Sequence, residues 1–177
     1  QLEAKFNDGE TVDKTAIIQA LGNAILSNVN TTLIPQINEP VKEQDRLSPI
    51  NLIVTPKGER VLDFGQNLAG YVEVAIQAAR GARILLHFGE VLDFDGNFYN
   101  ENYRDAKPEL MYVCKEGRNT YHPHLTFYGF RQIKIEQWPQ PLSEVKPEQF
   151  TAIAVYTKLK KTGSLNSSNP MLNQFFS

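Results

Sequence analysis

Five carboxylates fall within one short span: Glu90, Asp93, Asp95, Glu101 and Asp105. Two carboxylates held roughly 5–10 Å apart across a cleft can hydrolyse a glycosidic bond, one as acid and one as base or nucleophile. Chain spacing sets no two of these five face to face, so turn capping and surface charge are the first roles read for them. The same span places Phe98, Tyr99 and Tyr103 among Asn97, Asn100, Glu101, Asn102 and Arg104. Flat rings beside amides and charges are what the face of a sugar needs. Phe98, Tyr99, Asn100, Glu101, Tyr103 and Arg104 are therefore the candidate site. They read either as a carbohydrate-binding surface or as a loop packed on a neighbouring domain, and the length and charge of the loop favour the second.

Other constellations carry less. Asp63-Phe64-Gly65 has the look of a metal-binding kinase triplet, but no His-Arg-Asp catalytic loop accompanies it. A bulge or turn at Gly65 explains it better, with Gly65 and Gly70 bounding a tight connection between two strands. Asp93 to Asn97, "DFDGN", brings its glycine too early for an EF-hand loop; an Asp-Gly hairpin is the stronger reading. His122 and His124 share one face of a strand, as in a cupin metal site, but Tyr128 and Gly129 stand where that site needs a glutamate. No metal and no cofactor are expected. Cys114 is the lone cysteine, which excludes an internal disulfide and a C-x-x-C redox pair.

The elements that must position these residues follow from patterning. From Ile50 onward, short alternating runs are separated by turn residues: "INLIV", "ERVLDF", "YVEVAIQA", "ARILLHFGEVL", "LMYVCK", "NTYHPH", "FRQIKIEQW", "FTAIAVYT" and "KTGSLN". Such spacing predicts a mainly β protein, an antiparallel β-sandwich of the jelly-roll or concanavalin-like kind. Glu116-Gly117 marks a turn between two of these runs, and Trp138 before Pro139 is expected to close one end. Two helices are predicted beside the sandwich. Ile17, Leu21 and Ile25 recur every fourth residue within Val12 to about Ser27. Asn169 and Pro170 cap a second helix whose apolar face is Met171, Leu172, Phe175 and Phe176. Between the first helix and Ile50, three prolines predict an irregular link. The expected domains are 1–48 (helix and linker, the end of a preceding domain), 49–160 (sandwich) and 161–177 (connector and first turns of a following helical domain).

Composition sets outer limits. With 18 basic and 20 acidic residues and a net charge of −2, no basic stripe suggests nucleic acid. No run approaches the roughly 18 apolar residues of a membrane span. The chain begins without Met or a signal pattern and reads as an excised piece, so its compartment, cytoplasmic or secreted, is not legible.

Four phrases, in order, carry a resemblance: "DFGQNLAGYVEV", "LHFGEVLDFDGNFYNENYRDAKPELMYVCKEG", "YHPHLTFYGFRQIKIE" and "TGSLNSSNPMLNQFF". From about Leu33 to the C-terminus the chain resembles the bacterial α-L-rhamnosidases of glycoside hydrolase family 78. The resemblance implies the concanavalin-like sandwich placed before an (α/α)6 catalytic barrel, whose first helix starts at the phrase that "SNPMLNQFF" resembles. It implies a parent that hydrolyses terminal α-L-rhamnosyl bonds with inversion. The family's catalytic glutamates lie in the barrel and match nothing here, so this chain is expected to be inactive alone. The implied partners are that barrel and rhamnose-containing glycans. The family's calcium-dependent sugar module resembles a different domain, so no calcium site is placed on Asp93 or Asp95.

Overall fold

The computed structural model describes residues 3–5 and 7–176. Among them run β1 (Glu3–Lys5), β2 (Gly9–Asp13), β3 (Val41–Leu47), β4 (Asn51–Val54), β5 (Arg60–Ala78) and β6 (Arg83–Gly89). These are followed by β7 (Val91–Leu92), β8 (Phe98–Tyr99), β9 (Glu109–Val113), β10 (Gly117–Tyr121), β11 (Tyr128–Gln137), β12 (Phe150–Thr157) and one helix, α1 (Pro170–Phe176). The main sheet runs β1-β2-β9-β6-β11-β5-β12-β3, with β4 and β10 also paired to β5, while β7 and β8 form a separate hairpin. Every pairing is antiparallel except β2 with β9.

β5 is what turns one sheet into two layers. Its first residues pair with β4 on one edge and β11 on the other. Its last residues pair with β12 and β10. Between these halves Asp63 stands opposite Gln132 and Leu68 opposite Phe130, so residues 64–67 face Arg131 alone. This wide bulge bends the strand. Gly65 makes it feasible: its φ is +81°, a region that favours glycine, and a Cβ there would come within 2.9 Å of Ile50 Cδ1. The expected tight connection between two strands is thus corrected to a bend inside one strand, because β11 stays paired with both halves.

The core lies between the layers. Val74 and Ile76 of β5 face Ile84, Leu110 and Tyr112 around a narrow gap. Along β5, Val72, Val74, Ile76 and Ala78 point inward at period two. In β11 the inward set changes parity, from Tyr128 and Phe130 to Ile133 and Ile135, because the register shifts at Arg131. Phe88 anchors the middle, stacked on Tyr128 at 4.0 Å and edge-on to Phe130 at 5.1 Å. Full burial of each such ring contributes about 1.5–3 kcal/mol. Trp138 packs on Phe150 at 5.0 Å at the rim of the core, as expected for an end cap.

Three further expectations are corrected. No helix forms over 12–27: Val12 is buried in β2, and from residue 16 to 40 no regular element is present. Ile17, Ile18, Leu21 and Ile25 are almost fully exposed, Ile18 at 94%. An amphipathic helix takes most of its stability from a covered face, and nothing described here covers this one. The link before Ile50 is not irregular throughout, since β3 pairs along β12. "KTGSLN" is not a strand. The turn expected at Glu116-Gly117 is present and carries the chain between layers: β9 pairs with β6 and β2, whereas β10 pairs with β5 in the other layer. The tail helix forms where capping placed it, with Asn169 Oδ1 accepting the Met171 N–H at 3.0 Å. Among the described residues no helix is long and apolar enough to cross a membrane.

Candidate functional site

The loop that follows β8 lies over the ends of β6 and β11. Glycine lets it approach: a Cβ on Gly89 would collide with the Phe98 ring at 2.7 Å and with the Tyr99 carbonyl at 3.0 Å. Phe98 therefore spends its ring on packing. Its N–H donates to Glu59 Oε2 at 3.0 Å, and the Lys134 ammonium sits 5.5 Å from its ring centre. Tyr99 pairs with Val91 across the short hairpin. It stays half-buried and lines a shallow surface depression with Val91, Leu92, Asp93 and Phe94. The hairpin forms on the Asp-Gly signal: Gly96 has φ +82°, and Asp93 Oδ1 accepts the Asp95 and Asn97 N–H groups at 3.0 and 2.7 Å. These bonds, Asn97 first, hold the Asp93 carboxyl below its ordinary range.

Asn100 and Glu101 contribute backbone carbonyls to the loop, accepting the N–H groups of Tyr103 and Arg104 at 3.3 and 3.1 Å. Tyr103 donates its hydroxyl to the Gly129 carbonyl at the start of β11. Burial, then the Glu90 charge, raises its phenol well above the usual value, so it remains a donor. Arg104 has φ 59° and ψ −117°, and Ala106 N–H closes the turn onto the Tyr103 carbonyl at 3.1 Å. Those are the angles of the first central residue of a type II′ turn, where glycine is favoured. Arg104 is held there because the loop is fastened on both sides, and its side chain is exposed.

The fastening group is one that the sequence offered only as one of five clustered carboxylates. Glu90 accepts from Asn67 Nδ2 at 3.0 Å and from Asn102 Nδ2 at 2.8 Å. It thereby ties the β5 bulge, the end of β6 and the loop together. Beside it, Asp63 receives Arg131 Nε at 2.8 Å, Arg131 Nη2 at 2.9 Å and the Gly65 N–H at 2.7 Å. Arg131 above all keeps the Asp63 carboxyl below its ordinary range, against the opposing effect of burial. No sequence signal marks Asn67, Glu90 and Asn102 as neighbours; only the bulge and the loop crossing bring them together. Asp95, Glu101 and Asp105 stand exposed on the outer surface.

The histidines have structural surroundings. His122 stacks on Tyr71 at 4.9 Å and lies 4.7 Å from His124, while its Nδ1 sits 2.9 Å from the Pro123 carbonyl. The backbone N–H groups of His124 and Leu125 donate to the buried Glu10 carboxylate, which also receives the Tyr121 hydroxyl. Among the described residues no three His, Cys, Asp or Glu groups come together as a metal site. Cys114 is fully buried, and burial pushes its thiol up to about 11, which makes it a poor nucleophile.

A curled, nearly all-antiparallel sheet folded over one apolar core defines a concanavalin-like β-sandwich. Residues 53–156 match the family described as the bacterial alpha-L-rhamnosidase concanavalin-like domain, and the chain belongs to that family. An alpha-L-rhamnosidase of Alteromonas sp. (strain LOR) is 30% identical over 96% of this chain and 20% of its own length. One from Streptomyces avermitilis is 32% identical over 85% of this chain and 14% of its own. Among solved structures, the alpha-L-rhamnosidase from Dictyoglumus thermophilum superposes with a TM-score of 0.79 at 27% identity, covering 96% of this chain and 20% of that one. The Streptomyces avermitilis enzyme complexed with L-rhamnose gives a TM-score of 0.70 at 30% identity, over 80% of this chain and 14% of that one. The chain thus spans about a fifth or less of the length of these relatives.

Proposed function

We propose that this sandwich is a non-catalytic support within an α-L-rhamnosidase, orienting a catalytic domain that hydrolyses terminal α-L-rhamnosyl bonds. The observation that carries this reading is how the carboxylates near the candidate site are used. Glu90 bridges two asparagines, Asp63 holds an arginine, Asp93 caps a hairpin and Glu59 receives the Phe98 and Thr55 donors. A glycosidase acid needs a carboxyl that stays protonated near neutrality. Every carboxyl here whose acidity departs from the ordinary is shifted the other way: Asp13, Asp63, Asp93 and Glu136. The exposed apolar face of α1 and the loop from Phe98 to Lys107 are the contacts proposed for the catalytic domain.

The competing reading, a rhamnose-binding surface on Phe98, Tyr99, Asn100, Glu101, Tyr103 and Arg104, draws less support. The Phe98 ring lies against Gly89 and the Tyr103 hydroxyl is committed to Gly129, which leaves Tyr99 as the accessible ring. The test is hydrolysis of an aryl α-L-rhamnoside by the isolated chain. No turnover is expected, and turnover abolished by a single Asp or Glu substitution in this chain would overturn the proposal. Calorimetric titration with L-rhamnose at millimolar concentration is expected to give no binding heat.

A further inference from the structure

Residues 15–38 contain no Asp, Glu, Lys, Arg or His, in a chain that is 21% charged overall. They leave β2 through a turn in which Asp13 Oδ1 accepts the Thr15 N–H at 2.7 Å, then continue without regular structure to β3. Ile17, Ile18, Leu21, Ile25, Leu26 and Ile34 are among their large aliphatics, all at least 84% exposed. An irregular segment that is meant for water carries charge. This one carries a contiguous aliphatic load that monomeric soluble proteins rarely leave bare. Ile17, Leu21 and Ile25 keep the four-residue spacing of a helical face.

Resting on the support function proposed above, we infer that residues 15–38 form a strap that docks on an apolar protein surface supplied by further domains of the same polypeptide. Residues 17–26 become helical when docked. The match to the Dictyoglumus thermophilum rhamnosidase indicates that occupant. It covers 96% of this chain, and the remaining 4% of 177 residues is about seven, fewer than the strap holds. Most of the strap therefore has a counterpart inside a chain about five times as long, four-fifths of which lies outside this match. A lipid surface is disfavoured by chemistry, since the strap has no Lys or Arg to meet anionic headgroups.

The experiment is thiol labelling of Leu21→Cys and Ile25→Cys, each made in the 177-residue chain and in the full-length product of its gene. Cys114 is buried and stays silent. Maleimide modification is read by mass spectrometry on the peptide that holds the new thiol and is referenced to the rate in denaturant. The expected result is fast labelling in the 177-residue chain and at least about tenfold slower labelling in the full-length protein, the signature of a covered segment. Equal, fast labelling in both would overturn the inference. So would protection in the 177-residue chain that grows with its concentration, which would make a second copy the occupant, or protection that appears only with lipid vesicles. Hydrolysis of an aryl rhamnoside by the full-length protein, with and without the sandwich, tests the support function separately. A labile strap with sandwich-dependent hydrolysis defeats only the inference, whereas a protected strap with sandwich-independent hydrolysis defeats only the support function.

Discussion

The sandwich body and the strap of residues 15–38 are built from the same aliphatic residue types, yet one buries them and the other exposes them. In the body, Val72, Val74 and Ile76 alternate at period two within the buried core, and Val74 and Ile76 face side chains of the opposite layer. In the strap, Ile17, Leu21 and Ile25 recur at period four and meet nothing among the described residues. A hydrophobic pattern states which face wants cover; stability comes only where a second element supplies it.

That contrast can be broken most sharply at its two extremes. Phe130→Ala removes a ring that is fully buried between Phe88 and Phe64 and is expected to cost about 3–5 kcal/mol in urea unfolding. Leu21→Ser in the same 177-residue chain is expected to stay within about 0.5 kcal/mol. Comparable losses would mean that the strap packs on the sandwich after all.

A middle-sized effect lies at the bend of β5. The folded Asp63 carboxyl titrates below its unfolded value of about 3.9. Its contribution is therefore complete above about pH 4 and fades as pH falls through the lower folded value. Asp63→Asn is expected to cost about 1.5 kcal/mol at pH 7 and to flatten the acid limb of a stability–pH profile below pH 4. An unchanged acid limb would show that the Arg131 pair does not hold the bend.

The smallest effect separates the loop from the body. Glu90→Gln turns an amide donor toward either Asn67 or Asn102, both of which donate to the carboxylate now. A loss of about 1 kcal/mol is expected, with faster hydrogen exchange confined to residues 98–107. Exchange that rises across β6 and β11 as well would mean that Glu90 supports the layers rather than the loop.

The sandwich class, most of the strands from Ile50 onward, the Asp95-Gly96 hairpin and the Asn169 cap were legible in the sequence, whereas β1, β2 and β3 were not. Period-two alternation, turn residues and capping side chains act within a few neighbouring residues, so the chain itself determines them. The resemblance of ordered phrases pointed in addition to the family that residues 53–156 match. Three outcomes were decided only by tertiary structure. "VLDFGQNLAGYVEV" became one bent strand because β11 keeps pairing past the bulge. Asn67, Glu90 and Asn102 became neighbours because a loop crosses that bulge. The Ile17–Ile25 stripe stayed unwound because helix formation waits on a surface to bury against. In each case the deciding contact joins residues distant in sequence or belongs to a partner outside the segment, and local pattern carries no record of it.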